Sequence, residues 1–164
     1  MKVIVAVDSN WAIGNKGALL ARNKEDMQFF KTTTTGNVVV MGRKTLESFP
    51  GGRPLKDRDN IVITSNASYS VDGAYIVSSV DEAVAKAKEL ALSDKEVYVI
   101  GGASIYEQML DICDEALVTK MNKAYEADAF FPNLDESGDW ELYSSSEDKE
   151  YPDGTFNFCI YKHK

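Results

Sequence analysis

Val38-Val39-Val40-Met41-Gly42-Arg43-Lys44-Thr45 is an unbroken apolar run that ends in a glycine, two cations and a hydroxyl. Consecutive valines favour a strand, and the lack of polar alternation fits a strand covered on both faces. The glycine permits a turn, after which Arg43, Lys44 and Thr45 open a helix. A strand feeding a helix in this way belongs to a mostly parallel α/β sheet.

The pattern repeats outward from that stretch. Short apolar runs occupy residues 3–7, 61–63, 75–77, 97–100 and 116–118. Helical segments separate several of them. One covers residues 81–92, with Ser79 and Glu82 as a capping box. Its apolar stripe is Val80, Ala83, Val84, Ala87, Leu90 and Ala91. Another follows Gly101-Gly102 through Met109 and Leu110, a third starts near Arg43, and residues 19–31 read as a loop running into a helix. Strands alternating with helices predict right-handed crossovers. After Thr119 the pattern changes: residues 140–143 and 156–161 flank a polar, acidic loop at 144–154. These predict an antiparallel hairpin closing one edge. The expected fold class is therefore α/β, with about eight strands and about four helices.

The length of 164 residues fits a single domain over 1–164. The apolar run at 3–7 is too short for a signal peptide, and nothing approaches a membrane span. Cys113 and Cys159 lack metal-ligand spacing and read as free thiols in a reducing cytoplasm. Asn66-Ala67-Ser68 matches a glycosylation sequon, which is idle without secretion. The net charge of −8 argues against non-specific nucleic-acid binding. The lone histidine, His163, sits beside the C-terminus in an expected solvated tail. That leaves no histidine-based nucleophilic system and no histidine metal site.

Parallel α/β sheets bind ligands beyond the C-terminal ends of their strands. Gly42-Arg43-Lys44-Thr45 follows one run and suits a phosphate. Gly101-Gly102-Ala103-Ser104 follows another, where two glycines let backbone N–H groups approach a second phosphate. Thr64-Ser65-Asn66 follows a third with short hydrogen-bonding side chains. Each alone reads better as turn punctuation or surface charge. Three on one sheet edge point to a dinucleotide. Neither the G-x-G-x-x-G fingerprint nor a P-loop is present.

On the helix that residues 19–31 enter, Asp26 shares a face with Phe29 and Phe30. A carboxylate beside two aromatic rings is costly if that face is buried. Alone, the stretch reads better as a first-turn acid that complements the helix dipole and points to water.

Taken together, the motifs resemble dihydrofolate reductase. They are Ala6-Val7-Asp8 with Ala12-Ile13-Gly14, Glu25-Asp26-Met27 with Phe30-Lys31, and Val40-Met41-Gly42-Arg43-Lys44-Thr45 with Glu47-Ser48. Gly52-Arg53-Pro54-Leu55 with Arg58 and Asn60, Val99-Ile100-Gly101-Gly102 with Ile105-Tyr106-Glu107, Thr119 and Phe131-Pro132 complete the set. The match runs in order over nearly the whole chain.

The resemblance implies NADPH-dependent reduction of 7,8-dihydrofolate to tetrahydrofolate, serving one-carbon and thymidylate metabolism. The protein is expected to be a cytoplasmic monomer. It implies that Asp26, supported by Thr119, binds the pterin and assists protonation. Ile4, Val5, Met27, Phe30, Phe49, Leu55, Ile100 and Tyr106 would line the substrate site, and Arg58 would hold the glutamate α-carboxylate. Ala6 and Ile13 would meet the nicotinamide carboxamide, and Gly14 and Leu19 would also contact the cofactor. Arg43, Ser65 and Ser104 would serve the 2′-phosphate, and Lys44, Thr45, Gly101, Gly102, Ala103 and Ser104 would line the pyrophosphate, with Gly42, Thr64 and Ile105 as further cofactor contacts. Residues 9–20 would form a mobile lid.

The sequence departs from the family at one conspicuous place. Leu19-Leu20-Ala21 stands where the family usually has Leu-Pro-Trp, and Lys24 where it often has Pro. Ala21 leaves open a space beside the pterin. A binding module that has lost catalysis, and the reductase domain of riboflavin synthesis, are the competing readings. Asp26 with Thr119, and Arg58 after the Arg-Pro-Leu turn, suit a folate over a sugar phosphate.

Overall fold

A computed structural model describes residues 1–92 and 94–164. In chain order the elements are β1 (Lys2–Val7), β2 (Ala12–Gly14), α1 (Lys24–Thr34), β3 (Val38–Gly42), α2 (Arg43–Glu47), β4 (Asp59–Ile63) and β5 (Ala74–Val77). There follow α3 (Val80–Ala91), β6 (Val97–Gly101), α4 (Ala103–Met109), β7 (Glu115–Met121), β8 (Ala129–Phe130), β9 (Trp140–Ser145), β10 (Lys149–Tyr151) and β11 (Gly154–His163). The main sheet has the order β10-β11-β7-β1-β6-β3-β4-β5, and β9 also pairs with β11. Strands β1 and β3–β7 pair parallel, whereas β11 runs antiparallel to β7, β9 and β10. The α/β expectation holds, with all six apolar runs as strands and the anticipated helices in place.

The continuous apolar runs divide by parity, because successive side chains on a strand face opposite ways. Val3, Val5 and Val7 of β1, Val38 and Val40 of β3 and Val99 of β6 join the core on one face. Helix α3 packs there through Ala83, Ala87 and Ala91, whose small side chains permit close approach. Ile4, Val39, Met41, Val62, Tyr98 and Ile100 face the other way, toward α2 and toward Phe29 and Phe30 of α1.

Several details differ from the sequence expectation. Ser79 caps α3 by accepting from Glu82 N–H at 3.1 Å. The Glu82 carboxylate instead takes the N–H and hydroxyl of Ser78, so only half of the capping box forms. The polar loop at 144–154 contains β10, joined to β11 by a two-residue turn at Pro152-Asp153. Of the three β10 residues only Tyr151 is buried, which is why the segment read as a loop. His163 is not in a solvated tail. It ends β11, stacks on Trp140 at 4.7 Å and bonds the Cys113 carbonyl through Nδ1 at 3.0 Å. Both cysteines are free and buried, and burial pushes the Cys113 thiol up to about 11.

Candidate active site

The sheet splits where the site forms. β1 and β6 pair at Lys2↔Tyr98 and Val3↔Val99 and then separate, while β1 stays paired with β7 as far as Val7↔Lys120. On the other side of the gap β6 slips against β3, from Val40↔Val99 to Met41↔Gly101, so Ile100 bulges out of register. The chain reverses direction across this same gap, since β1 leads to β3–β5 on one side and β6 leads to β7 on the other. Open α/β sheets carry their ligand sites at such points. Ile4, Val5, Ala6, Ile100 and Gly101 thus flank one cleft. Tyr106, buried on α4, donates its hydroxyl to the Ile4 carbonyl at 2.8 Å. Burial, reinforced by the Asp26 charge, pushes that phenol up, so it stays a donor.

Asp26 lies in the first turn of α1 above this cleft. Asn23 caps the helix, its Oδ1 accepting from Asp26 N–H at 3.1 Å. The Thr119 hydroxyl of β7 donates to Asp26 Oδ1 at 2.6 Å. The carboxylate is half-buried, and burial raises its pKa while the Thr119 bond pulls it back. Both expectations about Asp26 hold in part. It is a first-turn acid, and it turns inward to a hydroxyl. Ala6, Ile13, Leu19, Asp26 and Met27 line one cavity of about 40 Å³, together with Leu20, Ala21, Asn23 and Met121. Phe30, Phe49 and Leu55 are half-buried against the α2-side core. Leu19 and Met27 are exposed apolar side chains at the cleft mouth.

Arg58 stands at the far end of α1. Its guanidinium donates to the Thr34 hydroxyl at 3.1 Å and to the Lys56 carbonyl at 2.9 Å. Buried Asn60 closes the turn beneath it by accepting from Leu55 N–H and donating to the Leu55 and Arg58 carbonyls. Asp26 and Thr34 are eight residues apart on α1, about 12 Å along the axis.

The glycine motifs meet at the opposite edge of the cleft. A Cβ on Gly42 would lie 3.1 Å from Ile105 Cγ1, and one on Gly102 would lie 3.6 Å from the Thr45 hydroxyl. Gly101 has φ +115, and a Cβ there would lie 3.1 Å from the Tyr106 ring. The helix starts at Arg43 and Ala103 therefore sit side by side. Arg43 is half-buried, 3.5 Å from Glu47 and over the Tyr69 ring. Lys44 is exposed and has no ion-pair partner among the described residues. Thr64 is buried, its hydroxyl accepting from Asn66 N–H, while Ser65 is exposed. Ser104 shares its hydroxyl with the Gln108 amide at 2.9 Å.

The segment at 9–20 is anchored at its start. Asp8 is fully buried, and its carboxylate accepts from the N–H groups of Asn10, Ala12 and Tyr125. Strand β2 pairs with β8, and Asp128 accepts from Lys16 N–H at 3.0 Å. Gly14 belongs to this anchored half: a Cβ on it would lie 3.1 Å from the Ala18 carbonyl. Trp11 is buried between Phe131 and Tyr161 and takes no part in the cleft. A larger cavity, about 390 Å³, lies behind α1 between Phe29, Thr33, Leu117 and Ser144–Ser146. Of the anticipated site residues it touches only Thr119.

Asn23, Asp8 and Thr34 were missed as site-building residues. Asn23 carried a legible signal, an amide three residues before Asp26 at a helix start.

Comparison with known proteins agrees with this geometry. The family model described as dihydrofolate reductase matches residues 1–163. The dihydrofolate reductase of Bacillus subtilis is 36% identical over 98% of this chain and 93% of its own length. Dihydrofolate reductase HdrB of Haloferax volcanii is 39% identical over 99% of this chain and 82% of its own. A solved dihydrofolate reductase from Enterococcus faecalis, complexed with NADP(H) and RAB-propyl, superposes with a TM-score of 0.86 at 31% identity, covering 99% of this chain and 95% of that one. With that match along its full length, and a carboxylate set over the split of its sheet, the chain belongs to the dihydrofolate reductase family.

Proposed function

We propose that the chain, acting as one domain over residues 1–164, reduces 7,8-dihydrofolate to 5,6,7,8-tetrahydrofolate with NADPH. The observation that carries this is the Asp26 carboxylate, held by Thr119 at 2.6 Å over the gap between β1 and β6. A pterin presents an amino group and a ring N–H side by side, and a carboxylate accepts both. Asp26 orients the pterin and favours protonation of its ring nitrogen electrostatically. The Ile4 and Ile100 backbones and the Tyr106 side chain flank the amino group, while Val5, Met27, Phe30, Phe49 and Leu55 wall the rings. Arg58 receives the glutamate carboxylate, and the 12 Å estimated along α1 suits a ring at one end and an anion at the other.

The glycine edge fits the dinucleotide. Gly42 and Gly101 leave backbone bare where a Cβ would crowd Ile105 and the Tyr106 ring, and Arg43 and Lys44 bring cations to the same edge. NADPH, when bound, supplies the hydride. Ala6, Ile13, Gly14 and Leu19 hold its nicotinamide end. Gly42, Lys44, Thr45, Gly101, Gly102, Ala103 and Ile105 hold the pyrophosphate, and Arg43, Thr64, Ser65 and Ser104 the 2′-phosphate. We assign the protein to the cytoplasm as a monomer that does not bind nucleic acid. No helix among the described residues is long and apolar enough to cross a membrane. The test is NADPH oxidation with and without dihydrofolate. Oxidation only with dihydrofolate supports the reading. Tight binding of both ligands without turnover makes the chain a binding module instead.

A further inference from the structure

The guanidinium of Arg43 meets two neighbours of different kinds. Glu47, one turn further along α2, lies 3.5 Å from its Nε. The Tyr69 ring takes its flat side, with 5.8 Å between the ring centroid and Cζ. That separation is within the reach of a cation–π contact. A guanidinium donates its hydrogen bonds in its own plane. A ring against its face therefore leaves the terminal N–H groups open to an anion, and Glu47 reaches only the Nε side.

Tyr69 is brought to Arg43 by the loop after β4. The Thr64 hydroxyl accepts from Asn66 N–H at 3.1 Å. The Asn66 Oδ1 accepts from the N–H of Ser68 at 3.1 Å and from its hydroxyl at 2.9 Å. The Asn66 carbonyl then accepts from Tyr69 N–H at 3.1 Å, which closes the turn. Short polar side chains that bond their own backbone fold the segment back on itself. The Tyr69 ring ends half-buried against the α2-side core, so the loop is anchored at both ends. The same loop carries exposed Ser65.

We propose that Tyr69 is a positioning residue for cofactor discrimination, its ring holding Arg43 flat at the cleft edge to receive the phosphate that distinguishes NADPH from NADH. The inference rests on the reading that Arg43 meets the 2′-phosphate, and adds which residue holds it there. A long side chain loses rotamer freedom when it binds an anion. A ring that already restrains the guanidinium removes part of that cost. Glu47 is an exposed partner one helical turn away, a weak kind of ion pair. A phosphate carries more charge than a carboxylate and takes the guanidinium from it. The ring contact survives that exchange, because ring and anion use different surfaces of the same group.

The test is equilibrium binding of NADPH and of NADH, followed by fluorescence titration, with urea midpoints to confirm folding. The proteins are the wild type, Tyr69→Leu, Tyr69→Phe, Arg43→Ala and the double variant of Arg43→Ala with Tyr69→Leu. Tyr69→Leu should weaken NADPH by about three- to tenfold and leave NADH nearly unchanged. Tyr69→Phe keeps the ring and should bind both like the wild type. Without Arg43, Tyr69→Leu should add no further loss. Equal losses with both cofactors, a Tyr69→Phe protein as weak as Tyr69→Leu, or a loss that persists without Arg43 overturns the proposal. If Tyr69→Leu does not fold, a trifluorinated phenylalanine in place of Tyr69 decides. It keeps the shape of the ring and strips its face of negative charge. A selective loss of NADPH then supports the proposal, and wild-type affinity overturns it. If Arg43→Ala keeps the preference for NADPH, the 2′-phosphate reading falls and the proposal with it. If Arg43→Ala loses the preference while Tyr69→Leu retains it, the proposal alone falls.

Discussion

Replacing Asp26 by Asn keeps the shape of the side chain and removes its charge. Thr119 can still donate to the amide oxygen, so the 2.6 Å contact survives in kind. What is lost is the acceptor offered to the cleft, where the amide now presents N–H to the pterin's own donors. Two charge-assisted bonds at about 1.5–3 kcal/mol each are at stake. Hydride transfer to dihydrofolate at pH 7 should fall by roughly 10²–10⁴-fold, or about 2.7–5.4 kcal/mol in the barrier. NADPH affinity should stay near wild type. The lost rate should partly return in acid, where solvent protonates the substrate unaided. Stability should move the other way. Burial raises the folded-state pKa of Asp26 above its unfolded value, so the ionised carboxylate opposes folding at neutral pH. That cost disappears as pH falls through the raised folded pKa toward the unfolded carboxylate value, about 3.9. D26N should therefore be the more stable protein at pH 8, and the gap should close in acid. The assays are single-turnover hydride transfer and urea midpoints, each against pH. Wild-type rates in D26N at pH 7, or a D26N protein less stable than wild type at pH 8, would refute the reasoning.

Arg43→Ala should raise the KM for NADPH about tenfold and leave NADH nearly unchanged, the low end for a charge-assisted bond because Glu47 already holds part of the guanidinium. Equal losses with both cofactors would remove Arg43 from the 2′-phosphate. Arg58→Ala should weaken dihydrofolate by roughly tenfold or more while sparing a pterin that lacks the glutamate, measured by competitive binding. If both weaken alike, the bond from Arg58 to Thr34 is its whole role. Gly101→Ala should cost about 1–3 kcal/mol in urea unfolding, because φ is +115 and the new Cβ meets the Tyr106 ring.

The parallel core was legible because strands buried on both faces are written as unbroken apolar runs, as in Val38–Gly42 and Val97–Gly101. The glycine edge was legible because glycines follow two of the apolar runs directly, at Gly42 and at Gly101-Gly102, and Asp26 because an acid beside Phe29 and Phe30 is out of place. β10 escaped notice because a strand with one buried side chain in three looks polar. β2 and β8 are too short to show a period. His163 read as tail because nothing local announces its pairing with Trp140 across the sheet edge. Asp8 was visible but mute: it takes the N–H groups of Asn10 and Ala12 close by, but its third, from Tyr125, comes from 117 residues away, and no spacing records that.

The Asp8 clamp has a mechanical consequence. Three N–H groups on one buried carboxylate weld residues 10–12 and Tyr125 into a single frame, and β2 with β8 extends that frame to Gly14. Beyond the turn closed between Asn15 and Ala18, residues 19–22 make no backbone hydrogen bond among the described residues. The loop is thus a fixed jamb with a short free panel, hinged at one end by the Asn15–Ala18 turn and at the other by the Asn23 cap. Only side-chain contacts hold that panel of four residues, so a change there need not disturb the sheet behind it.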